Sequence, residues 1–141
     1  MNTFLPFNDF EKSAKSLDYR RLGKQRVETK QILYALLGVS KGWRNHPATM
    51  MWDGHIRFLC LYGIAMCDEW IARGYVDNTR PVFIHALQQH TGTKPKWLGN
   101  EDFHRSHQSN LIRKMPEHYG PLFPGVPNNL PYIWPTKDLN G

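Results

Sequence analysis

Residues 47–73, PATMMWDGHIRFLCLYGIAMCDEWIAR, restrict the fold more than any other stretch of this chain. Trp52, Ile56, Leu59, Met66 and Trp70 recur at the helical period, and Phe58 and Leu61 lie behind that stripe. A helix that is apolar over most of its circumference has to be surrounded by other elements. Pro47 suits a first helical position and Gly74 a terminus, so the segment reads as one long central helix that Gly54 can bend. It stays short of the roughly 18 consecutive apolar residues that a membrane span needs.

The elements that surround it also read as helices, and no strand pattern of any length is present. Asn8-x-x-Glu11 opens a short first helix. Asp18 caps a second from Tyr19 to Leu37, with Leu17 and Leu22 as a hydrophobic staple and Gly38 as terminator. A fourth spans Pro81 to His90 and ends at Gly92. A fifth starts near Asn100, carries Glu101 and Asp102 in its first turn, and ends before Pro116. From Pro116 the prolines at 116, 121, 124, 127, 131 and 135 exclude helix and central strand. Tyr119, Phe123, Tyr132, Ile133 and Trp134 are nonetheless too apolar for a free tail. The expectation is an all-α single domain: a compact bundle of about five helices over 1–115, wrapped by an extended segment over 116–141. A chain of 141 residues can bury such a core without disulfide or metal staples.

The thiols fit that picture. Cys60 and Cys67 are seven residues apart on the central helix, about 10 Å along its axis and beyond disulfide reach. Buried free thiols are expected. Nothing at the start of the sequence resembles a signal peptide, so a soluble cytoplasmic protein is expected, with no membrane and no obligate protein partner.

The net charge of +6 is unevenly spread. Residues 1–44 hold nine Lys/Arg against Asp9, Glu11, Asp18 and Glu28, a balance of +5. The remaining 97 residues hold nine against eight, a balance of +1. A basic patch confined to one third of a domain is what a phosphate backbone selects, although ordinary solubilising charge has the same sign.

Three clusters carry possible chemistry. In the first, DYRRLGKQRVE (18–28), Arg21, Lys24 and Glu28 share one helix face with Arg20 near Lys24, a suitable array for phosphates. An exposed Lys24–Glu28 pair is the plainer account. Arg26 falls on the apolar stripe of Leu22, Thr29, Leu33, Leu36 and Leu37, with Gln25 at its edge. It therefore needs either an internal partner or a ligand anion. The second cluster, Trp43-Arg44-Asn45-His46-Pro47, combines an aromatic, a guanidinium, an amide and an imidazole able to stack and hydrogen-bond a base. A capping loop with a packed Trp is the alternative. In the third, FHRSHQSNLIRK (103–114), His104 and His107 are three apart, but no further ligands gather to make a metal site. His107 lies on the apolar stripe as a core histidine, and Arg105, Ser109, Arg113 and Lys114 offer a second wall for an anion. No phosphate-binding glycine loop, serine nucleophile elbow or zinc-finger spacing is present. Any nucleophile is then an amine or an activated water.

The stretch Phe4-Leu5-Pro6…Leu17-Asp18-x-x-Arg21-Leu22-Gly23-Lys24-Gln25-Arg26-Val27-Glu28 resembles the start of the pyrimidine-dimer DNA glycosylases. Trp43-Arg44-Asn45-His46-Pro47, Met51-Trp52-x-Gly54 and the terminal Leu130-Pro131-Tyr132-x-Trp134-Pro135 resemble the same family, most closely its bacterial and phage branch. The resemblance implies a helical fold and a glycosylase with abasic-site lyase activity on double-stranded DNA, without a cofactor. In that chemistry the chain's α-amine attacks C1′ of the damaged nucleotide and forms an imine, assisted by a glutamate near the start of the second helix. The position matching that glutamate is Arg21, and the nearest carboxylate on the same face is Glu28. Met1 and Glu28 are thus the expected catalytic pair. The expected DNA contacts are Arg20, Arg21, Lys24, Gln25, Arg26, Trp43, Arg44, Asn45, His46, His104, Arg105, Arg113 and Lys114. An α-amine suits the task because its ordinary pKa near 8 leaves a useful neutral fraction at pH 7. Two other classes are open: a DNA-binding module of the same fold without catalysis, and a small-nucleotide enzyme using Arg26, His46, His104 and Arg105.

Overall fold

The computed structural model describes residues 1–135, and over them the chain is all-helical. Seven helices follow in order: α1 (Phe10–Ser16), α2 (Tyr19–Leu36), α3 (Pro47–Met50), α4 (Ile56–Ala72), α5 (Arg80–Gln89), α6 (Glu101–Lys114) and α7 (Pro116–Tyr119). The two beyond the expected five have local causes. The long central helix is broken, because Gly54 takes φ +84 and the chain turns between α3 and α4. A left-handed residue cannot continue a right-handed helix, so Gly54 ends the run where a mere bend was expected. Pro116 opens α7 because a proline at the first helical position loses only an N–H that has no helical partner there. The wrap expected from 116 therefore begins with a helical turn. It continues without regular structure to Pro135, and residues 136–141 lie outside the described part.

Side-chain caps set several starts. Asp9, one residue after the expected Asn8, accepts the Lys12 N–H at 2.8 Å and opens α1. Asp18 opens α2 and also accepts the Tyr119 hydroxyl, which ties α2 to α7. Burial alone would raise the Asp18 pKa, but hydrogen bonds from Tyr119 and Arg21 outweigh it and hold the carboxyl below its usual value. Asn100 caps α6 through the Phe103 N–H at 3.0 Å.

The central position falls to α4, which packs against α1, α2 and α5. Its glycine makes room for α5: a Cβ on Gly63 would lie 2.6 Å from the buried ring of Phe83. Cys60 and Cys67 are buried free thiols, and burial raises the Cys60 pKa to about 11.

Arg26 has an internal partner. Its guanidinium pairs with Asp77 and lies 4.4 Å over the Trp70 ring. Asp77 also accepts the N–H groups of Thr79 and Arg80, so one carboxylate holds both the stripe arginine and the entry to α5.

Candidate active site

The segment 2–6 has no regular secondary structure and is wholly buried. A buried backbone must find partners for its N–H and C=O groups. Here side chains from α2, α4 and α6 supply them. Asn2 N–H donates to Glu28 Oε2 at 3.1 Å, and Gln25 Nε2 donates to the Asn2 carbonyl at 3.1 Å. Phe4 N–H donates to Gln25 Oε1 at 2.8 Å. The Tyr62 hydroxyl shares its proton between the Phe4 carbonyl (2.8 Å) and Gln25 Oε1 (2.6 Å).

The paired histidines of α6 complete the clasp. Leu5 N–H donates to His107 Nδ1 at 2.9 Å, so that ring carries its proton on Nε2. Gly99 N–H donates to His104 Nε2 at 2.9 Å, which leaves His104 Nδ1–H to donate to the Leu5 carbonyl at 2.7 Å. Both rings are buried and neutral; burial depresses the His107 pKa to about 3 and lowers that of His104. These histidines hold backbone. Among the described residues no three His, Cys, Asp or Glu side chains converge on a metal position.

Pinned in this way, the segment leads Met1 into a cleft of about 440 Å³. Glu28 and the cations Arg20, Arg21, Lys24 and Lys114 line it, with Asn2, Phe4, Gln25 and Tyr132. One turn of α2 sets Arg20 and Lys24 on the wall, and a second places Glu28 beside the incoming segment. Arg21 is also paired with Asp18 at 3.1 Å. The cleft is therefore a cationic wall with one carboxylate beside the start of the chain.

Of the expected site residues, Met1, Glu28, Arg20, Arg21, Lys24, Gln25 and Lys114 come together here. The others are placed differently. Arg26 is turned inward on Asp77, as required of a charge on an apolar stripe, so it is not a wall of the cleft. His104 has both ring nitrogens engaged and, with Arg105, borders another hollow beside Pro6 and Val126. The grouping of Arg26, His46, His104 and Arg105 into a small-nucleotide pocket is not formed. Arg113 holds the Asn128 carbonyl and Asn110, fastening the C-terminal segment to α6. Trp43, Arg44 and Asn45 are exposed before α3, with a long Arg44–Asp53 pair at 3.9 Å. His46 caps α3 by accepting the Ala48 N–H at 3.0 Å. Burial and the Met1 ammonium lower the His46 pKa, against the opposing pull of Glu28, so this ring faces the same charges as the cleft.

Asn2 and Tyr132 were not singled out from the sequence. Tyr132 belongs to the terminal motif that resembles the family, and its run of aromatics otherwise reads as packing. Asn2 carries no signal beyond its place next to Met1.

The profile of the family described as pyrimidine dimer DNA glycosylase matches residues 1–81. That span covers the segment 2–6, the whole of α2 and the loop before α3. No curated protein and no solved structure gives a significant match. With more than half of its length matched, and with its all-helical fold, this chain belongs to the pyrimidine dimer DNA glycosylase family, a family of DNA repair enzymes.

Proposed function

We propose that this protein removes a damaged base from double-stranded DNA and cleaves at the resulting abasic site, with the Met1 α-amine as nucleophile and Glu28 as proton acceptor. The observation that carries this reading is the hydrogen bond from Asn2 N–H to Glu28 at 3.1 Å, inside a cleft walled by cations. It holds a carboxylate one residue from the amine, where protons must be moved.

The steps need no cofactor. The neutral amine adds to C1′ as the N-glycosidic bond breaks, and the base leaves with the bonding pair and takes up a proton. The nitrogen then gives up a proton to Glu28, its lone pair expels O4′, and Glu28 passes that proton to O4′, opening the sugar to a protonated imine with a free 4′-hydroxyl and leaving the carboxylate ionised again. Loss of a C2′ proton to the same carboxylate allows the C3′–O bond to break, and the phosphate departs. Arg20, Lys24 and Lys114 hold the flanking phosphates, and Arg44 and Asn45 extend that contact beyond the cleft.

Borohydride adds hydride to the imine and fixes the adduct. A covalent protein–DNA product whose mass maps to the peptide beginning at Met1 is the expected result with abasic duplex. Acetylation of that amine should abolish it, and Glu28→Gln should slow it by about 10²-fold or more. An adduct on Lys24, or trapping that survives a blocked N-terminus, would overturn the amine assignment. No trapping at all would leave a DNA-binding module of this fold.

A further inference from the structure

Arg21 stands apart from the other cations of the Met1 cleft. Among the described residues it alone of the four on that wall is bonded to a carboxylate. Asp18 holds it at both ends: one carboxylate oxygen accepts the Arg21 N–H at the start of α2, and the other accepts Nη1–H at 3.1 Å. That carboxylate is itself fixed. The buried Tyr119 hydroxyl donates to it and accepts the Asp18 N–H at 2.9 Å. Arginine has much rotamer freedom to lose, and here the loss is taken on folding, before any ligand arrives. Only Nη1 is used, so Nε and Nη2 keep their donors for the cleft.

Arg21 and Glu28 lie seven residues apart on one face of α2, about 10 Å along its axis. Both act on the Tyr132 hydroxyl. Burial raises the pKa of that group most, the Asn2 side chain, Arg113 and Arg21 pull it down, and Glu28 pushes it up. The two α2 charges therefore look into one space, the carboxylate from beside Met1 and the guanidinium from two turns back along the helix.

Resting on the reading of this cleft as the lyase site, we propose that Arg21 stabilises the phosphate that leaves C3′, with Asp18 and Tyr119 as the residues that position it. Loss of the C2′ proton to Glu28 leaves an electron pair that becomes the C2′=C3′ bond. The C3′–O bond breaks, and its pair departs with the phosphate. A diester with one negative charge thus becomes a monoester that carries close to two. The added charge develops only as that bond breaks, and a guanidinium already fixed beside it meets the charge without reorganising. Cations that hold the phosphates equally well before and during this step cannot speed it.

The test places the full chain in excess over an abasic duplex and measures two rates, formation of the borohydride-trapped adduct and cutting of the strand. Arg21→Gln should cut about 10²-fold more slowly than the wild type, while its trapping slows far less, so that adduct accumulates on uncut DNA. Trapping by the variant also shows that it is folded and bound. Arg21→Lys, which keeps the charge, should recover much of the lost cutting, and Tyr119→Phe, which loosens Asp18, should slow cutting in the same direction by a smaller factor. Cutting by Arg21→Gln at the wild-type rate overturns the proposal. So does an equal fall in both rates, which would make Arg21 a binding contact only, and so does Arg21→Lys cutting as slowly as Arg21→Gln. A wild type that traps nothing removes the lyase reading and this one with it, and is seen before any variant is made. Wild-type trapping without a separate Arg21 effect on cutting removes this inference alone.

Discussion

His107 does not line the cleft, yet the position of Met1 depends on it. Its Nδ1 must stay unprotonated to accept the Leu5 N–H, and full burial enforces this with a pKa near 3. An unfolded histidine titrates near 6.5, so below that pH the unfolded chain binds a proton that the folded chain refuses. Stability is then complete above about pH 6.5 and falls as the pH drops, by about 1.4 kcal/mol per unit for one such histidine. His104 is shifted in the same direction. Asp18 and Asp77 contribute only below the ordinary carboxylate range, near 3.8, so the window from pH 6.5 to 4.5 belongs to the histidines. Urea midpoints across that window should fall steeply in the wild type and less so in His107→Gln, whose amide oxygen can still accept from Leu5. Equal slopes would remove His107 from the account. The sequence showed His107 as a core residue through its place between Phe103 and Leu111. It did not show what the ring holds, because the Leu5 backbone is 102 residues away.

Helix positions were legible wherever a local rule sets them. Asp18 caps as expected, α6 starts where expected, just after Asn100, and Gly38 with φ +76 follows the end of α2. The break after α3 was legible only in part: Gly54 was visible as a weak point, whereas its left-handed conformation depends on the packing around it. Arg26 shows the other limit. Its place on the apolar stripe demanded a partner, and the choice between an internal carboxylate and a ligand turned on Asp77, 51 residues away in an unpatterned loop. Since Asp77 also holds the first turn of α5, its two roles can be separated. Asp77→Asn keeps the acceptor for Thr79 and Arg80 but leaves the Arg26 charge uncompensated, and Asp77→Ala loses both. Breaking a buried pair from one side costs about 3–5 kcal/mol, and Asp77→Ala should exceed Asp77→Asn by about 1 kcal/mol for the lost cap. Urea denaturation of both variants checks this. A loss below about 1 kcal/mol in Asp77→Asn would show that the pair contributes little.

Across the whole molecule, the uneven charge has a structural counterpart. The excess of basic residues before residue 45 supplies Arg20, Arg21 and Lys24 to one wall, and Lys114 at the end of α6 joins them from the opposite part of the sequence. About four neutralised phosphates predict a slope of log affinity against log salt near −3.6, or roughly a hundredfold loss between 50 and 200 mM. Lys24→Glu should weaken binding to all duplex sequences alike and make the slope shallower by at least one unit, measured by fluorescence anisotropy. Salt-independent binding would rule out the cationic wall as the DNA surface. The wall from α2 could be read from the face shared by Arg21, Lys24 and Glu28. Its closure by Tyr132 and by the chain's own first residues could not, since only the folded topology brings the two ends of the sequence to one cleft.

The way segment 2–6 is held has a consequence for how it moves. Side chains bind this stretch much as a receptor binds a peptide, and they are spread over three helices that do not loosen independently of the core. Its amides therefore have no local fraying route, unlike the ends of α1 or α7. Phe4 and Leu5, which any map of regular structure would leave blank, should exchange their amide hydrogens with solvent as slowly as the middle of α4, and only when the whole body opens.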